Sequence, residues 1–240
     1  MFSFRIATYN IHKCRGLDRR VRPKRIAEVL KEINADVIAL QEVVGMDEIS
    51  RERNQVRAIA EELGTDFRIG ENRRLHGAAY GNAVLSRLPI VADHNHDLSC
   101  RRYEPRGCLE VNVRPPNTQN VLQLFNVHLG TSFFERRYQA HRLLELIAGD
   151  SRQPRIILGD FNEWTRGLTT RLLNRHLNSA EPEQRLGRAR TYPGVFPLLH
   201  LDHIYYNSSL KLKSINVHRS LLALAASDHL PIIADFEFTH

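Results

Sequence analysis

Apolar runs of strand length in this sequence repeatedly end in a carboxylate, a histidine or an asparagine. The nearly continuous apolar run 36–40 leads into Gln41-Glu42, and the run 155–158 leads into Gly159-Asp160-Phe161-Asn162. A buried strand reads as such a run, and polar side chains at strand ends can converge from distant parts of a chain. The sequence therefore predicts a β-rich scaffold that gathers functional groups at the ends of its strands.

The apolar patterns predict an alternation of strands and helices. Alternating or continuous apolar segments predict strands at residues 4–10, 36–40, 81–87, 90–98, 109–113, 121–127 and 155–158, with two more near the C-terminus. Helical spacing predicts helices that open at Pro23 and that cover residues 52–63, 134–147 and 168–177. Two β-sheets packed face to face, with the helices outside, satisfy this order. Because no change of composition marks a linker, we expect residues 1–240 to form one domain.

The chain carries a surplus of positive charge. Its 34 Lys and Arg residues outnumber 27 Asp and Glu residues, which gives a formal net charge of +7. Such a surplus favours an anionic partner, whether nucleic acid, a phospholipid headgroup or another phosphorylated substrate. The alternative is that the charge serves solubility alone, because the basic residues are scattered and their densest runs, 15–25 and 185–190, fit solvated loops.

The cysteines and the hydropathy bear on location. Cys14, Cys100 and Cys108 are odd in number and lack metal-type spacing, so neither a disulfide framework nor a zinc site is supported. A reducing compartment suits them best. The sequence shows no secretory signal and no apolar stretch of membrane-spanning length. We therefore expect a monomeric cytoplasmic protein, with at most peripheral contact to anionic surfaces.

Six segments carry a resemblance to a known family. They are Tyr9-Asn10-Ile11, Leu40-Gln41-Glu42-Val43, Asn126-Val127-His128-Leu129, Gly159-Asp160-Phe161-Asn162, Leu201-Asp202-His203-Ile204 and Ser227-Asp228-His229-Leu230-Pro231. In this order they resemble the endonuclease/exonuclease/phosphatase superfamily, which has the deoxyribonuclease-I-like fold. The resemblance extends from residue 4 to residue 238. It implies an α/β fold, a four-layer αββα sandwich of two packed mixed β-sheets flanked by helices.

The resemblance also implies hydrolysis of a phosphate ester with Mg²⁺, for which Mn²⁺ can substitute. Magnesium prefers oxygen ligands and keeps several waters, so one or two carboxylates suffice to hold it. By similarity Glu42 is the principal metal ligand, and Asn10 contributes an amide oxygen or contacts the phosphate. Asp228 matches a position that also lies at the metal. One ion and two ions both remain open at this point.

Catalytic roles follow from the same resemblance. Asp160 matches the residue that orients or deprotonates the attacking water, and we expect nearby Mg²⁺ to hold its pKa down. Asn162 is expected to point the same way, because of the strand's period of two, and to donate to the phosphoryl oxygens. His229 matches a phosphate-contacting histidine whose ring Asp202 holds. His128 resembles a second histidine that contacts the phosphate or protonates the leaving oxygen.

Other residues are candidates by position. Arg106, before Gly107 and a strand, is a candidate for gripping a phosphate, with a surface arginine as the alternative. Asn82 and Tyr80 are further candidates for the substrate side. His12 and His203 lie within the motifs, and we expect them to be structural.

The substrate is the open question. The segment Thr191-Tyr192-Pro193 resembles a branch of small bacterial members whose relatives include phospholipid-diesterase-like and lipid-anchor-remodelling proteins. A phospholipid-like substrate is therefore the leading expectation, and a DNA or RNA nuclease is the alternative. The sequence has no inserted loop rich in Arg and Lys to hold a duplex.

Two other classes of function are disfavoured. A catalytically silent binding module of this fold would be expected to lose Glu42 or Asp160, and both are present. A structural metal protein built on the 12 histidines is opposed by their spacing, which lacks ligand patterns such as HxxxH.

Overall fold

Two six-stranded β-sheets form the middle of the molecule. The computed structural model describes residues 2–45, 54–116, 120–148, 152–164, 167–180, 190–196 and 198–239. The strands are β1 (Ser3–Asn10), β2 (Val37–Val44), β3 (Asp66–Leu75), β4 (Ala78–Ser86), β5 (Ile90–Asp97), β6 (Gly107–Val113), β7 (Leu122–His128), β8 (Arg155–Asp160), β9 (Asn178–Ala180), β10 (Asp202–Tyr206), β11 (Leu210–Val217) and β12 (Ile232–Phe238). The helices are α1 (Pro23–Ile33), α2 (Gln55–Leu63), α3 (Phe133–Ile147), α4 (Leu168–Leu173) and α5 (Leu221–Ala226).

Each sheet has a parallel pair of strands at its centre. The strand orders are β11-β12-β1-β2-β4-β3 and β5-β6-β7-β8-β10-β9, with β1–β2 and β7–β8 parallel and the other pairs antiparallel. The chain passes through α1 between β1 and β2, and through α3 between β7 and β8, as parallel neighbours require. Asn10 pairs with Gln41 at the carboxyl end of one parallel pair, and His128 pairs with Asp160 at the end of the other. These two ends carry the predicted site residues Asn10, Glu42, His128 and Asp160.

Three apolar clusters hold the layers together. One lies between the sheets and includes Phe4, Val84 and Leu124. A second packs α1, α2 and α5 onto the first sheet, and a third packs α3 and α4 onto the second sheet. This arrangement confirms the predicted αββα sandwich. Within the described ranges, no helix combines the length and the apolar character needed to cross a membrane.

Helix α1 shows how the sequence builds the outer layer. Pro23 occupies the first turn, where its missing N–H removes no hydrogen bond. Ile26, Leu30 and Ile33 are buried on one face. Asn34, with a φ of 51°, then takes the left-handed conformation that ends the helix. The predicted amphipathic helix is therefore formed and faces the first sheet.

A buried amide network joins the sheets beneath the strand ends. The Gln41 side chain donates to Oδ1 of Asn126 at 2.8 Å. Asn126 in turn donates to the carbonyls of Leu40, at 2.9 Å, and of Ala83, at 2.8 Å. Asn126 belongs to the second sheet and its partners to the first, so this side chain links the two sheets.

Replacing Asn126 by Ala is expected to lower the free energy of unfolding by about 2–4 kcal/mol, because three buried groups lose a partner at once. Urea unfolding followed by circular dichroism measures the effect. Asn216, exposed on β11, is the matched control, and Asn216→Ala is expected to change stability by less than about 0.5 kcal/mol. Equal effects of the two substitutions would contradict a linking role for Asn126.

The structure departs from the predicted elements in a few places. Strand β3 was not predicted, because its polar sequence lies at a sheet edge where most of its residues keep contact with water. The predicted helix 168–177 is shorter, since α4 ends at Leu173. Helix α2 begins at Gln55, capped by Asn54, whose side chain accepts from the backbone N–H of Arg57. The predicted start at residue 52, and residues 185–189 of the basic run, lie outside the described residues.

Candidate active site

A cavity of about 380 Å³ opens where the carboxyl ends of the two parallel strand pairs meet. It is lined by Lys13, Glu42, Arg73, Tyr80, Glu104, Arg106, His128, Thr131, Asp160, Asn162, Trp164, Tyr192, Leu199, Leu201, Asp228 and His229. Glu42 comes from β2, His128 from β7 and Asp160 from β8. The fold therefore brings polar residues from both sheets to one place, as the strand-end pattern predicts.

Asp160 lies between two histidines. Its Oδ2 is 3.7 Å from Nε2 of His229 and 3.6 Å from Nε2 of His128. The other ring nitrogen of His229, Nδ1, lies 2.9 Å from Oδ2 of Asp202, which also accepts a hydrogen bond from the Thr191 hydroxyl at 2.5 Å. These five side chains are buried. The predicted Asp202–His229 pair is formed, and it aims Nε2 of His229 at Asp160.

The two histidines differ in charge. Burial alone would lower the pKa of His229, but the carboxylates of Asp202 and Asp160 outweigh it and raise the pKa to about 10. Burial and the neighbouring Arg106 lower the pKa of His128 to about 4, against the attraction of Asp160. At neutral pH the site therefore contains one imidazolium, His229, and one neutral imidazole, His128.

The tautomer of His128 follows from its contact with Arg106. Nη1 of Arg106 lies 3.1 Å from Nδ1 of His128. Because a guanidinium can only donate, Nδ1 is the acceptor and the ring proton is on Nε2. His128 thus offers a neutral N–H donor beside Asp160. Donation of this hydrogen bond to a phosphate suits such a ring better than the alternative role of protonating the leaving oxygen.

The carboxylate of Asp160 is oriented by two N–H groups. Oδ2 accepts from Nδ2 of Asn10 at 3.0 Å, and Oδ1 accepts from the backbone N–H of Asn162 at 2.9 Å. Burial raises the pKa of Asp160, against the positive charge of His229. The lowering of this pKa that is expected from a nearby Mg²⁺ stays a prediction. A raised pKa makes the ionised carboxylate a better proton acceptor.

Glu42 is presented by a strained backbone. Its φ is 57°, and the pairing of β2 with β4 is irregular between Leu40 and Val43. The adjacent turn His12–Cys14 has positive φ at all three residues. Each such conformation costs on the order of 1 kcal/mol or more and persists only where the surrounding structure holds it. Strain is therefore concentrated beside the cavity, where it aims Glu42 and Lys13 inward.

One carboxylate oxygen of Glu42 contacts the Lys13 ammonium group, and the other accepts from the side-chain amide of Asn10. Nζ of Lys13 is 2.5 Å from Oε2, and Nδ2 of Asn10 donates to Oε1 at 3.3 Å. Burial would raise the pKa of Glu42, but the positive charges of His128, when protonated, and of Lys13 outweigh it and lower the pKa to about 2. Glu42 is therefore anionic throughout the physiological range of pH.

Two groups of residues could hold a metal ion. Among the described residues, Asp160, Asp202 and His229 have potential ligand atoms within 4.8 Å of one another. The raised pKa of His229 opposes this group, because a histidine ligand must be deprotonated. Glu42 and Asp228 both line the cavity and offer the hard oxygens that Mg²⁺ prefers. The donor set around Glu42 fits Mg²⁺ better.

Two predicted site residues are placed differently from the expectation. The Asn82 side chain is fully buried outside the cavity lining and donates to the carbonyls of Gly107 and Asn126, both at 3.1 Å. A direct substrate contact through Asn82 is therefore not supported. Asn162 does line the cavity. However, β8 ends at Asp160, so the strand period does not orient Asn162. Its φ is 49°, and its side chain donates to the carbonyl of Leu129.

Of the remaining candidates, two line the cavity and two do not. Arg106 and Tyr80 line the cavity, and Arg106 is buried rather than a surface arginine. His203 packs against Phe161 and Tyr205, outside the lining. The ring of His12 lies 3.4 Å from Asp228, next to the site.

Sequence reasoning missed several residues that line the cavity. Lys13, Arg73 and Glu104 lie in a turn, in the unpredicted strand β3 and in a loop. Glu104 joins Arg73, at 2.8 Å, to Arg106, at 2.9 Å, and so extends the ion-pair chain that reaches His128. Polar side chains in such segments look like ordinary solvated residues in a sequence. The order His12-Lys13-Cys14 directly after Asn10-Ile11 was the one signal that could have indicated Lys13.

The opposite pKa shifts of the two histidines predict how stability depends on pH. In metal-free buffer His229 binds its proton more tightly folded than unfolded, so its contribution is complete below pH 6.5 and is lost as pH rises toward 10. His128 binds its proton less tightly when folded, so stability also falls as pH drops from 6.5 through 4. Unfolding free energies from urea titrations at pH 4.5, 6.5 and 8 are expected to be largest at pH 6.5. In His229→Gln the decrease from pH 6.5 to 8 should shrink, and an unchanged decrease would contradict this origin.

The fold and the site place this chain in a known class. Residues 7–229 match the Endonuclease/Exonuclease/phosphatase family, and the chain belongs to that family, whose members are hydrolases that act on phosphate esters. It is 32% identical over 245 aligned positions to the uncharacterized protein YbhP of Escherichia coli (strain K12), covering 98% of this chain and 96% of YbhP.

Solved structures share the fold. An endonuclease/exonuclease/phosphatase from Beutenbergia cavernae is 24% identical with a TM-score of 0.78, covering 98% of this chain and 72% of that one. The mannosyl-6-phosphatase of Bacteroides thetaiotaomicron is 20% identical with a TM-score of 0.76, covering 98% of this chain and all of that one, 100%. At these identities the likeness establishes the architecture alone.

Proposed function

We propose that this protein is a Mg²⁺-dependent phosphodiesterase, able to use Mn²⁺, that hydrolyses a phosphate ester by attack of an activated water. The observation that carries the proposal is the position of Asp160. Its carboxylate lies 3.7 Å from the imidazolium of His229 and is linked through Asn10 to Glu42. A proton acceptor, a positive donor and a candidate metal ligand therefore share one cavity.

Glu42 is the principal candidate ligand for the cation, with Asp228 and the amide oxygen of Asn10 as further oxygen donors. The lowered pKa of Glu42 keeps this ligand anionic. Bound Mg²⁺ would supply a Lewis acid that neutralises charge on the phosphoryl oxygens. The ammonium group of Lys13 already lies beside the Glu42 carboxylate. When Glu42 binds a cation instead, this ammonium group can bind the phosphate.

The remaining residues have separate roles. Asp160 accepts a proton from the attacking water, and its raised pKa suits it to that role. His229 donates from Nε2 to a phosphoryl oxygen as an imidazolium, while Asp202 holds the ring and stabilises its charge. His128 donates its neutral Nε2–H, held by Arg106. Asn162 lines the cavity beside Asp160 and has a second amide N–H for the phosphate.

We propose a phospholipid-like diester as the substrate, with a monomeric, cytoplasmic enzyme acting on it. The polar floor of the cavity suits a phosphate, and its rim includes the apolar side chains of Trp164 and Leu199. A nuclease is the second candidate, favoured by the net charge of +7 and by Arg73 and Arg106 in the lining. The odd number of cysteines, without a disulfide framework, supports a reducing compartment.

A hydrolysis panel tests the proposal. It contains bis(4-nitrophenyl) phosphate, 4-nitrophenyl phosphate, single- and double-stranded DNA, RNA, and phospholipids in mixed micelles, each with EDTA, Mg²⁺ or Mn²⁺. We expect cation-dependent turnover that is greatest on a diester. Cleavage of DNA or RNA in preference to phospholipid would establish the nuclease alternative. Absence of turnover on every substrate would refute the proposed function.

Glu42→Gln tests the metal site. The substitution keeps the shape of the side chain and removes its charge, so we expect Mg²⁺ binding to weaken by at least the roughly 10- to 100-fold that the loss of an outer-shell partner costs, with a matching rise in the Mg²⁺ concentration required for turnover. Calorimetry measures the binding. Glu71, on β3 and outside the cavity lining, supplies the control Glu71→Gln, whose affinity should equal that of the parent. Unchanged Mg²⁺ affinity in Glu42→Gln would place the cation elsewhere.

A further inference from the structure

The exposed aromatic side chains of this protein share one region. Phe133, Phe134, Trp164 and Phe196 have 55%, 72%, 63% and 71% of their surface exposed. Among the described residues they are all of the exposed Phe and Trp side chains. Large apolar side chains on the surface of a soluble protein are usually single and scattered. Four together in one region therefore require an explanation.

That region is the mouth of the cavity. Trp164 lines the cavity. Phe133 lies two residues after Thr131, and Thr131 also lines the cavity. Phe196 lies in a turn between Tyr192 and Leu199, which pair with each other and line the cavity. We call the exposed residues of these three segments the aromatic rim: Phe133, Phe134, Trp164, Val195, Phe196 and Leu198.

The charges beside the aromatic rim are mostly positive. Arg137 is exposed three residues after Phe134. Arg101 and Arg102 are exposed in the loop whose Tyr103 hydroxyl accepts a hydrogen bond from the Ser132 hydroxyl at 3.3 Å. Glu104 is the one exposed carboxylate within the described parts of the segments 99–105, 131–138, 162–167 and 190–199, and it is ion-paired to two arginines. Glu135, at the start of α3, is buried. The rim thus combines insertable aromatic side chains with unpaired positive charge.

We propose that the aromatic rim docks on the surface of an anionic phospholipid bilayer, with the cavity facing the headgroups. Aromatic and aliphatic side chains insert at the boundary of headgroups and acyl chains, and each nearby arginine adds electrostatic attraction. The rim contacts the apolar part of the lipid layer while the floor of the cavity faces the phosphate. The docking itself does not depend on the proposed function. Its consequence, access of the active site to a lipid phosphate ester, rests on that function.

The shape of the rim favours a lipid surface over a single strand of nucleic acid. Single-stranded nucleic acid needs flat aromatic faces on which successive bases stack. Phe133 and Phe134 are adjacent and pack edge to face, at 77° with ring centroids 5.7 Å apart. Val195 and Leu198 offer no flat face at all. These features suit insertion into a lipid layer and not base stacking.

Vesicle flotation in EDTA tests the docking without any turnover. The parent protein is expected to float with phosphatidylglycerol vesicles and weakly with phosphatidylcholine vesicles. The triple variant Phe133→Ser, Phe134→Ser, Phe196→Ser is expected to bind phosphatidylglycerol vesicles about tenfold more weakly, as is the double variant Arg101→Gln, Arg137→Gln. The control Val91→Ser changes an exposed residue near the start of β5, at the other end of that strand from Asp97, which pairs with Gly107 beside the cavity, and should bind like the parent. Melting curves confirm that each variant is folded.

Three results would overturn the docking. The first is no flotation of the folded parent, and the second is equal flotation of the parent and the triple variant. The third is loss of oligothymidine binding in the triple variant when the parent does not bind vesicles. The last result would make the rim a nucleic-acid surface. Turnover of soluble bis(4-nitrophenyl) phosphate is measured separately. Its absence would defeat the proposed function, while flotation alone decides the docking.

Discussion

Asp160→Asn is expected to lower kcat for any phosphate diester that this protein cleaves by about 10³- to 10⁴-fold. The amide has the shape of the carboxylate and can still accept a hydrogen bond from the backbone N–H of Asn162. It cannot take a proton from water, and it removes the negative charge 3.7 Å from Nε2 of His229. The loss should therefore appear in kcat with little change in KM.

The control for this substitution is Asp66→Asn. Asp66 is exposed at the start of β3, where it pairs with Ser86, at the other end of the strand from the cavity residue Arg73. We expect activity equal to that of the parent. Melting curves would establish that Asp160→Asn is folded. A folded Asp160→Asn enzyme with more than about one tenth of the parental kcat would exclude Asp160 as the proton acceptor.

His229→Gln is expected to lower kcat by about 10²- to 10³-fold, because it removes the one imidazolium of the site. Asp202→Asn should lower kcat as well and should also move the alkaline limb of the pH–rate profile to lower pH. The reason is that the Asp202 carboxylate helps to raise the pKa of His229 to about 10. Steady-state kinetics from pH 6 to 10 measure both effects.

The double variant tests whether Asp202 acts through His229. If it does, His229→Gln with Asp202→Asn should be no slower than His229→Gln alone, since groups that act as a unit are not additive. Additive losses would indicate that Asp202 has an independent role, such as a metal ligand. Thr191→Ser, which keeps the hydroxyl that donates to Asp202, is the conservative control and should keep most of the activity.

The parts of the site that the sequence predicts are those carried by regular strands. The apolar run before Gly159-Asp160 predicts a buried strand, and pairing of β7 with β8 then places His128 opposite Asp160. The apolar run 36–40 likewise predicts a buried strand, β2, and pairing of this strand with β1 places Gln41-Glu42 beside Asn10. In these segments a local pattern determines the element, and the sheet determines where its end lies.

The parts that the sequence does not predict depend on distant packing. Lys13 reaches Glu42 because the turn His12–Cys14 adopts positive φ values that no residue type in it demands. Strand β3, which carries Arg73, forms because β4 supplies a neighbour, not because its own sequence is apolar. The strand period fails for Asn162, since the strand ends two residues earlier. Asn82 looks like a site residue by position, and only the structure reveals the carbonyls that bury it.

Hydrolysis in ¹⁸O-labelled water shows whether an activated water attacks phosphorus in this active site. The parent enzyme is given bis(4-nitrophenyl) phosphate with Mg²⁺, and the products are analysed by ³¹P NMR and mass spectrometry. If water activated at Asp160 attacks phosphorus, this mechanism predicts one labelled oxygen in the phosphoryl product and none in the nitrophenol, with no reaction in EDTA. Label in the nitrophenol, or labelled product formed equally well by Asp160→Asn or in EDTA, would contradict it.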